Sequence, residues 1–197
     1  ETQRLIVATA RDLFLERGYS ATTMEVISEK AGVSISTVYA IYKNKRGILR
    51  AIREEWHLQS AQHMIYEQAI AEAEPGKALD LAAHATRRQW ETSLAMITIY
   101  SGAATADPEA ADELQAAQAG RRRALQAFVR AIAHHLRSAL STERATAIYL
   151  ALTRAELYQE LVDVAGWSPD EYEAWLAETL KQQLLDHPGK THEKDGL

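Results

Sequence analysis

Between Thr23 and Tyr42 the sequence spells two short amphipathic segments that meet at a single glycine, and this hinge constrains the fold more than any other feature of the chain. Met24, Ile27 and Ala31 recur at the three- and four-residue spacing of one helix face. Gly32-Val33-Ser34 interrupts the pattern. Glycine adopts the left-handed conformation that ends a helix at little cost, and a serine hydroxyl can cap the helix that follows. The second segment starts at Ile35 and keeps Val38 and Tyr42 on one side, with Val33 just before it. Upstream, Leu5, Ile6, Thr9, Leu13 and Phe14 predict a first helix over residues 2–17, ended by Gly18. The three segments together read as a small bundle containing a helix-turn-helix.

The rest of the chain also reads as helix. It is rich in Ala, Leu, Glu, Gln and Arg, and no run alternates with period two between turn residues, so no sheet is expected. Asn44 can cap a long fourth helix over about 45–72. Pro75-Gly76 punctuates the chain, and helices are expected over about 77–93 and 94–101. Asp107-Pro108-Glu109 opens a helix to about 139, Ser141 or Thr142 caps one over about 143–165, and Ser168-Pro169-Asp170-Glu171 starts a last one over about 169–186. The predicted class is therefore all-α. Residues 1–47 form the helix-turn-helix domain, 48–188 a larger helical domain, and 189–197 a polar, disordered tail.

Composition narrows the function classes. The 197 residues include no cysteine, which removes disulfides and thiolate metal sites and fits a cytoplasmic protein. No apolar run is long enough to span a membrane, and the first residues do not resemble a secretory leader. The net charge is −5, yet residues 1–50 hold eight basic and five acidic side chains, a balance of +3 that leaves −8 on the remainder. A basic head on an acidic body suggests that only the head meets a polyanion, although a solvated helical surface can show the same imbalance.

In a helix-turn-helix the second helix lies in the major groove with its first residues at the base edges. Here that helix leaves Ser34, Ser36, Thr37 and Tyr39 pointing outward as hydrogen-bonding groups suited to phosphates and base edges. Lys45 opens the fourth helix, where lysine and helix N-terminus together suit a phosphate. The pattern alone does not separate this reading from a structural three-helix bundle.

Gly18-Tyr19, Ala21-Thr22-Thr23, Ile27, Ala31-Gly32-Val33-Ser34, Thr37-Val38-Tyr39, Tyr42 and Lys45 resemble, in order and spacing, the N-terminal signature of the TetR family. The resemblance covers about residues 5–50; beyond them only the helical plan and the length are similar. It implies a homodimeric, DNA-binding transcriptional regulator, a repressor in the commoner family mode, released from a near-palindromic operator by a small-molecule effector. It implies DNA contacts at Thr23, Ser34, Ser36, Thr37, Tyr39 and Lys45. The chain departs from the family at Ile35, where a polar residue is common, and at Ala40 and Ile41, where larger or charged ones are. Ile35 can touch a thymine methyl group or pack away.

The larger domain then has two jobs. Tyr172, Trp175, Leu176, Leu180 and Leu184 form one stripe of the last helix, and Tyr158, Leu161 and Val162 lie on the preceding one. These eight are the expected dimer interface, though the same stripes would serve a monomer's own core. Trp90, Met96, Tyr100, Phe128, Tyr149, Thr153 and Glu156 are the expected ligand contacts, being aromatic and polar residues of the middle helices. No catalytic motif, metal-ligand spacing or cofactor loop is found, so no catalytic residue, metal or cofactor is expected. His134-His135 diverge on a helix, and His187 and His192 fall in the tail. The Arg121-Arg122-Arg123 run reads as a solvated face. The competing reading is a helical small-molecule-binding protein or enzyme whose N-terminal bundle is structural.

Overall fold

The computed structural model describes residues 1–59 and 62–186, and their side chains apart from residues 57–59 and 62–63. The described residues are helical nearly throughout and hold no strand: α1 (Thr2–Arg17), α2 (Met24–Ala31), α3 (Ile35–Tyr42), α4 (Lys45–Gln59), α5 (Gln62–Ala71), α6 (Pro75–Ala104), α7 (Pro108–Ala131), α8 (Thr142–Leu152), α9 (Ala155–Tyr158) and α10 (Pro169–Leu184). Contacts divide the chain into two compact units, one of Glu1–Ala61 with Gln89–Arg121, the other of Gln62–Arg88 with Arg122–Leu197. The expected tail and His187 just before it lie outside the described residues, as do residues 60 and 61 of the expected fourth helix.

In the first unit, α1, α2, α3 and α4 surround one apolar core. Ile6, Leu13, Ile27, Val38, Ile48 and Leu49 are all buried there, and Ile99, Tyr100 and Ala103 of α6 belong to the same cluster. Burying each large side chain contributes about 1.5–3 kcal/mol, which is what short helices such as α2 and α3 need to persist. The rings of Phe14 and Tyr19 meet at 5.1 Å and close the end of α1. Asn44 Oδ1 accepts from the Gly47 amide at 2.9 Å and starts α4. Gly47 is required by close approach: a Cβ there would overlap the Tyr42 carbonyl oxygen.

Charge as well as apolar surface holds α4 in this unit. Arg46, Arg50 and Arg53 recur along one side of it. Arg46 Nε meets Asp107 Oδ2 at 2.9 Å, Arg50 Nε meets Glu113 Oε1 at 2.7 Å, and Arg53 Nη1 meets Glu113 Oε2 at 3.0 Å. Tyr100 donates its hydroxyl to the same Glu113 at 3.1 Å. Asp107 is also the N-terminal cap of α7, its Oδ1 accepting from the Glu109 amide at 3.1 Å.

The second unit is organised around α10. Ser168 and Glu171 form a reciprocal capping box, with the Glu171 amide on Ser168 Oγ at 3.2 Å and the Ser168 amide on Glu171 Oε2 at 2.7 Å. Pro169 occupies the first helical position. Tyr172 packs edge-on to Tyr158 at 4.8 Å, and Phe128 against Tyr149 at 5.6 Å. His84 Nδ1 and Arg87 reach Glu173 at 3.0 and 3.1 Å.

Three boundaries differ from the sequence reading. The segments expected over 77–93 and 94–101 are one helix, Pro75–Ala104. Its hydroxyls bond backwards within the helix, Thr86 to the Ala82 carbonyl and Thr98 to that of Leu94, and so leave no backbone group seeking another conformation. Pro75 begins that helix rather than preceding it, and Glu74 caps it by accepting from the Gly76 and Lys77 amides at 2.7 and 2.9 Å. The helix expected over 143–165 is three pieces: α8, α9 and a π-helical turn over Gln159–Val164. The break at Thr153 and Arg154 carries no glycine or proline, so no sequence signal announced it. Finally, α7 runs through Gly120 but stops at Ala131, eight residues short of the expected end.

Candidate nucleic-acid interface

The turn between α2 and α3 is made by Gly32, whose φ of 65° and ψ of 28° place it in the left-handed region. Each of the two helices is capped by the residue before it. Thr23 Oγ1 accepts from the Val26 amide at 3.3 Å, and Ser34 Oγ from the Thr37 amide at 3.1 Å. Thr22 is buried, and its hydroxyl donates to the carbonyl of Gly18, the cap of α1, at 2.9 Å and to that of Leu13 within α1 at 3.3 Å.

Ser34, Ser36 and Thr37 form one hydroxyl cluster at the start of α3. Ser34 Oγ lies 2.9 Å from Ser36 Oγ and 2.7 Å from Thr37 Oγ1. Such hydroxyls keep donors and lone pairs that can turn to an outside partner without leaving a group unsatisfied. Beside them Ile35 is 36% exposed and Tyr39 is 44% exposed, an unusual pair of large side chains to leave in water. Val38, between them in sequence, is fully buried and fixes the helix phase. Tyr42 is half-buried and donates to the Gln3 carbonyl at 3.2 Å, tying the end of α3 to α1; burial raises its pKa. Thr23 is exposed at the start of α2. The structure thus brings Ser34, Ser36, Thr37 and Tyr39 onto the outer side of one short helix.

Lys45 is placed differently. Its Nζ donates to the Tyr19 and Thr22 carbonyls at 2.5 and 2.9 Å and stands 4.1 Å from the centre of the Tyr19 ring. Two backbone acceptors and an aromatic face draw the ammonium inward, and desolvation lowers its pKa. Lys43, two residues earlier, is exposed instead and ends α3 with a φ of 61°. Lys45 opens α4, and nothing in residue type separates the two, so the sequence carried no signal for Lys43. Lys30 and Arg4 are likewise exposed. Arg46 and Arg50 face Asp107, Glu109 and Glu113, which removes them from the basic balance of the head.

The expected ligand contacts are not gathered in one unit. Trp90, Met96 and Tyr100 belong to the first, and Phe128, Tyr149, Thr153 and Glu156 to the second. Trp90 is 3% exposed beneath the Arg121 guanidinium, and its indole N–H meets no acceptor among the described residues. Tyr100 is buried on Glu113. Phe128, Tyr149 and Thr153 are buried, and Glu156 is exposed beside Arg154. Of the expected interface residues, Tyr158, Tyr172, Leu176, Leu180 and Leu184 lie in their own unit's core, the alternative left open by the sequence, while Leu161, Val162 and Trp175 are partly exposed. Among the described residues no group of three His, Asp or Glu is placed to hold a metal, and no helix is long and apolar enough to cross a membrane.

A glycine-turned helix pair with an exposed hydroxyl cluster, set in an all-helical chain, defines a helix-turn-helix protein. Residues 6–52 match the family model described as bacterial regulatory proteins, tetR family. The N-terminal region is therefore similar to the DNA-binding region of that family. Its curated relatives include YvkB of Bacillus subtilis strain 168, a regulator of the same helix-turn-helix type, at 41% identity over 51 residues. That match covers 26% of this chain and 27% of YvkB, so it concerns the head alone. The fold extends further. NalD of Pseudomonas aeruginosa, the secondary repressor of a multidrug efflux pump, superposes with a TM-score of 0.68 at 21% identity, covering 93% of this chain and 96% of NalD. SmeT, the repressor of a Stenotrophomonas maltophilia efflux pump, in its complex with triclosan gives a TM-score of 0.71 at 21% identity, with 95% and 93% covered.

Proposed function

We propose that the chain is a transcriptional repressor that binds a near-palindromic operator as a homodimer and leaves it when a small molecule binds the body. The observation that carries this reading is the outer face of α3 and its cap, where Ser34, Ile35, Ser36 and Tyr39 stand exposed with half-buried Thr37 among them, on a helix whose Val38 is fully buried. Hydroxyls and Tyr39 serve phosphates and base edges, and Ile35 serves a thymine methyl group. Lys43, Lys30 and Arg4 supply the outward charge that phosphates require. Thr23 joins the set as an exposed cap.

The regulatory half rests on less direct support. The unsatisfied indole N–H of Trp90 suits a ligand acceptor, and a buried donor without a partner is costly enough to call for one. SmeT, of the same fold, is known with triclosan bound. Dimerisation is assigned to Leu161, Val162 and Trp175, joined by Val164, which is 72% exposed. Cytoplasmic location follows from this work on DNA.

The test is a gel shift with the DNA upstream of the chain's own gene. A discrete shift, lost in a Ser36→Ala, Tyr39→Phe double variant that keeps its helix content, supports the reading. Binding no tighter than to random duplex at physiological salt overturns it. The competing enzymatic or structural reading has no specific observation in its favour.

A further inference from the structure

From Ile35 to Tyr42, α3 reads Ile-Ser-Thr-Val-Tyr-Ala-Ile-Tyr and carries no charged and no amide side chain. The strong pairings available in a major groove need such groups. Arginine or lysine takes guanine, asparagine or glutamine takes adenine, and a carboxylate takes the amino group of cytosine. None of these residue types occurs in α3. What the helix offers instead is single hydroxyls, which discriminate little between bases, and apolar surface. The specific counterpart of apolar surface in the major groove is the C5-methyl group of thymine.

The placement of the side chains agrees with this composition. Ile35 is the first residue of α3, in the turn whose side chains reach base edges in a helix-turn-helix. It is exposed, and Tyr39, four residues on and so beside it on the helix surface, is exposed too. Ala40 is also exposed and adds no polar group. The hydroxyls of Ser36 and Thr37 both lie within hydrogen-bond distance of Ser34 Oγ, so they face one another as well as solvent. Positive charge stands at the margins: Lys43 directly follows α3 and Lys30 lies in the last turn of α2, both exposed. Such charges draw in the phosphates, and phosphate contacts carry no sequence information. We propose, on the reading of α3 as the helix that enters DNA, that this protein selects its operator principally through thymine C5-methyl groups packed against Ile35.

The test uses the full chain and a duplex enriched by selection from a randomised library, set against the same duplex with deoxyuridine at every thymidine. That exchange removes the C5-methyl groups and leaves every base pair and hydrogen-bonding edge in place. Burying one methyl group is worth about fourfold in affinity, so a site with one such contact in each half should bind about 15-fold more weakly as the uracil duplex. Thymidine restored only where footprinting places α3 should restore the affinity. Ile35→Ala, with circular dichroism unchanged, should weaken binding to the thymidine duplex and reduce the uracil penalty to less than about fourfold. Lys43→Ala should weaken both duplexes alike and leave the penalty as it was. Affinities for the two duplexes within about twofold of each other overturn the proposal and leave α3 a DNA-binding helix. A full uracil penalty in Ile35→Ala also overturns it. If selection enriches no duplex above random sequence, this inference and the repressor reading fall together.

Discussion

The Lys45 ammonium sits 2.5 Å from the Tyr19 carbonyl oxygen and 4.1 Å from the centre of the Tyr19 ring, so the first residue of α4 is anchored to the connector between α1 and α2. Lys45→Met keeps the stem and removes the donor, leaving the Tyr19 and Thr22 carbonyls short of a partner. The expected loss is about 1–3 kcal/mol of stability, read by urea denaturation. The slope of DNA affinity against salt should stay as it was. Lys43→Ala should do the opposite: stability unchanged within about 0.5 kcal/mol, and a salt slope shallower by about one. Reversed outcomes would return Lys45 to the phosphate and Lys43 to the solvent.

Glycine at position 47 is a second structural requirement. Gly47→Ala drives a Cβ into the Tyr42 carbonyl, where backbone and not a flexible side chain must yield. A loss of about 3 kcal/mol is expected. Gly102→Ala is the control. It lies in α6 with nothing within 4 Å of the added carbon, and should raise stability by up to about 1 kcal/mol through helix propensity. Both are read from thermal or urea melts of the otherwise unchanged chain.

The ion pairs on α4 give stability a pH dependence of known sign. The Arg46 hydrogen bond holds the Asp107 carboxyl below its ordinary value of 3.8. A carboxylate whose pKa is depressed by folding contributes stability that is complete above the unfolded value and is lost as pH falls through the folded one. The contribution is therefore intact at neutral pH, begins to fade near the ordinary carboxylate pKa, and is gone below the depressed one. Asp107→Asn keeps the oxygen that caps α7 but loses the charge facing Arg46. Its melting temperature should fall below that of the parent at pH 7, with the gap closing toward pH 3. A gap independent of pH would mean that the cap, not the ion pair, is what Asp107 contributes. Tyr19, pushed up to about 12 by burial and by Asp107 next to it, stays protonated throughout this range.

What the sequence made legible was local. Ser34, Ser168 and Gly32 announce their helix ends because capping and left-handed turns depend on residues at most three positions away. The outward hydroxyls of α3 were legible for the same reason, since Val38 fixes the helix phase. The direction of Lys45 was not, because its acceptors are carbonyls 23 and 26 residues upstream and any residue type would supply them. The Arg46, Arg50 and Arg53 row was also hidden, since its acids lie some sixty positions away. Apolar stripes are legible as stripes, but nothing in a stripe says which neighbour it faces. Tyr172 and Leu176 turn toward their own unit.

That ambiguity supplies the last prediction. Within one chain, Tyr172, Leu176, Leu180 and Leu184 are each 0% exposed, so a charge at any of them lacks water and a partner. Tyr172→Asp should unfold the second unit, with loss of helix signal. Val164, at 72% exposed, has no such role, and neither does the outer side of Trp175, which is half-buried against the Trp167 ring at 6.0 Å. An exposed valine beside half-buried Leu161 and Val162 is apolar surface that a second copy would cover. Val164→Asp should therefore leave helix content and melting of the monomer intact, yet shift sedimentation from dimer toward monomer at micromolar concentration. DNA affinity should fall with it, because two half-sites are no longer bound together. If Val164→Asp stays dimeric and binds as before, the second copy docks elsewhere on the chain.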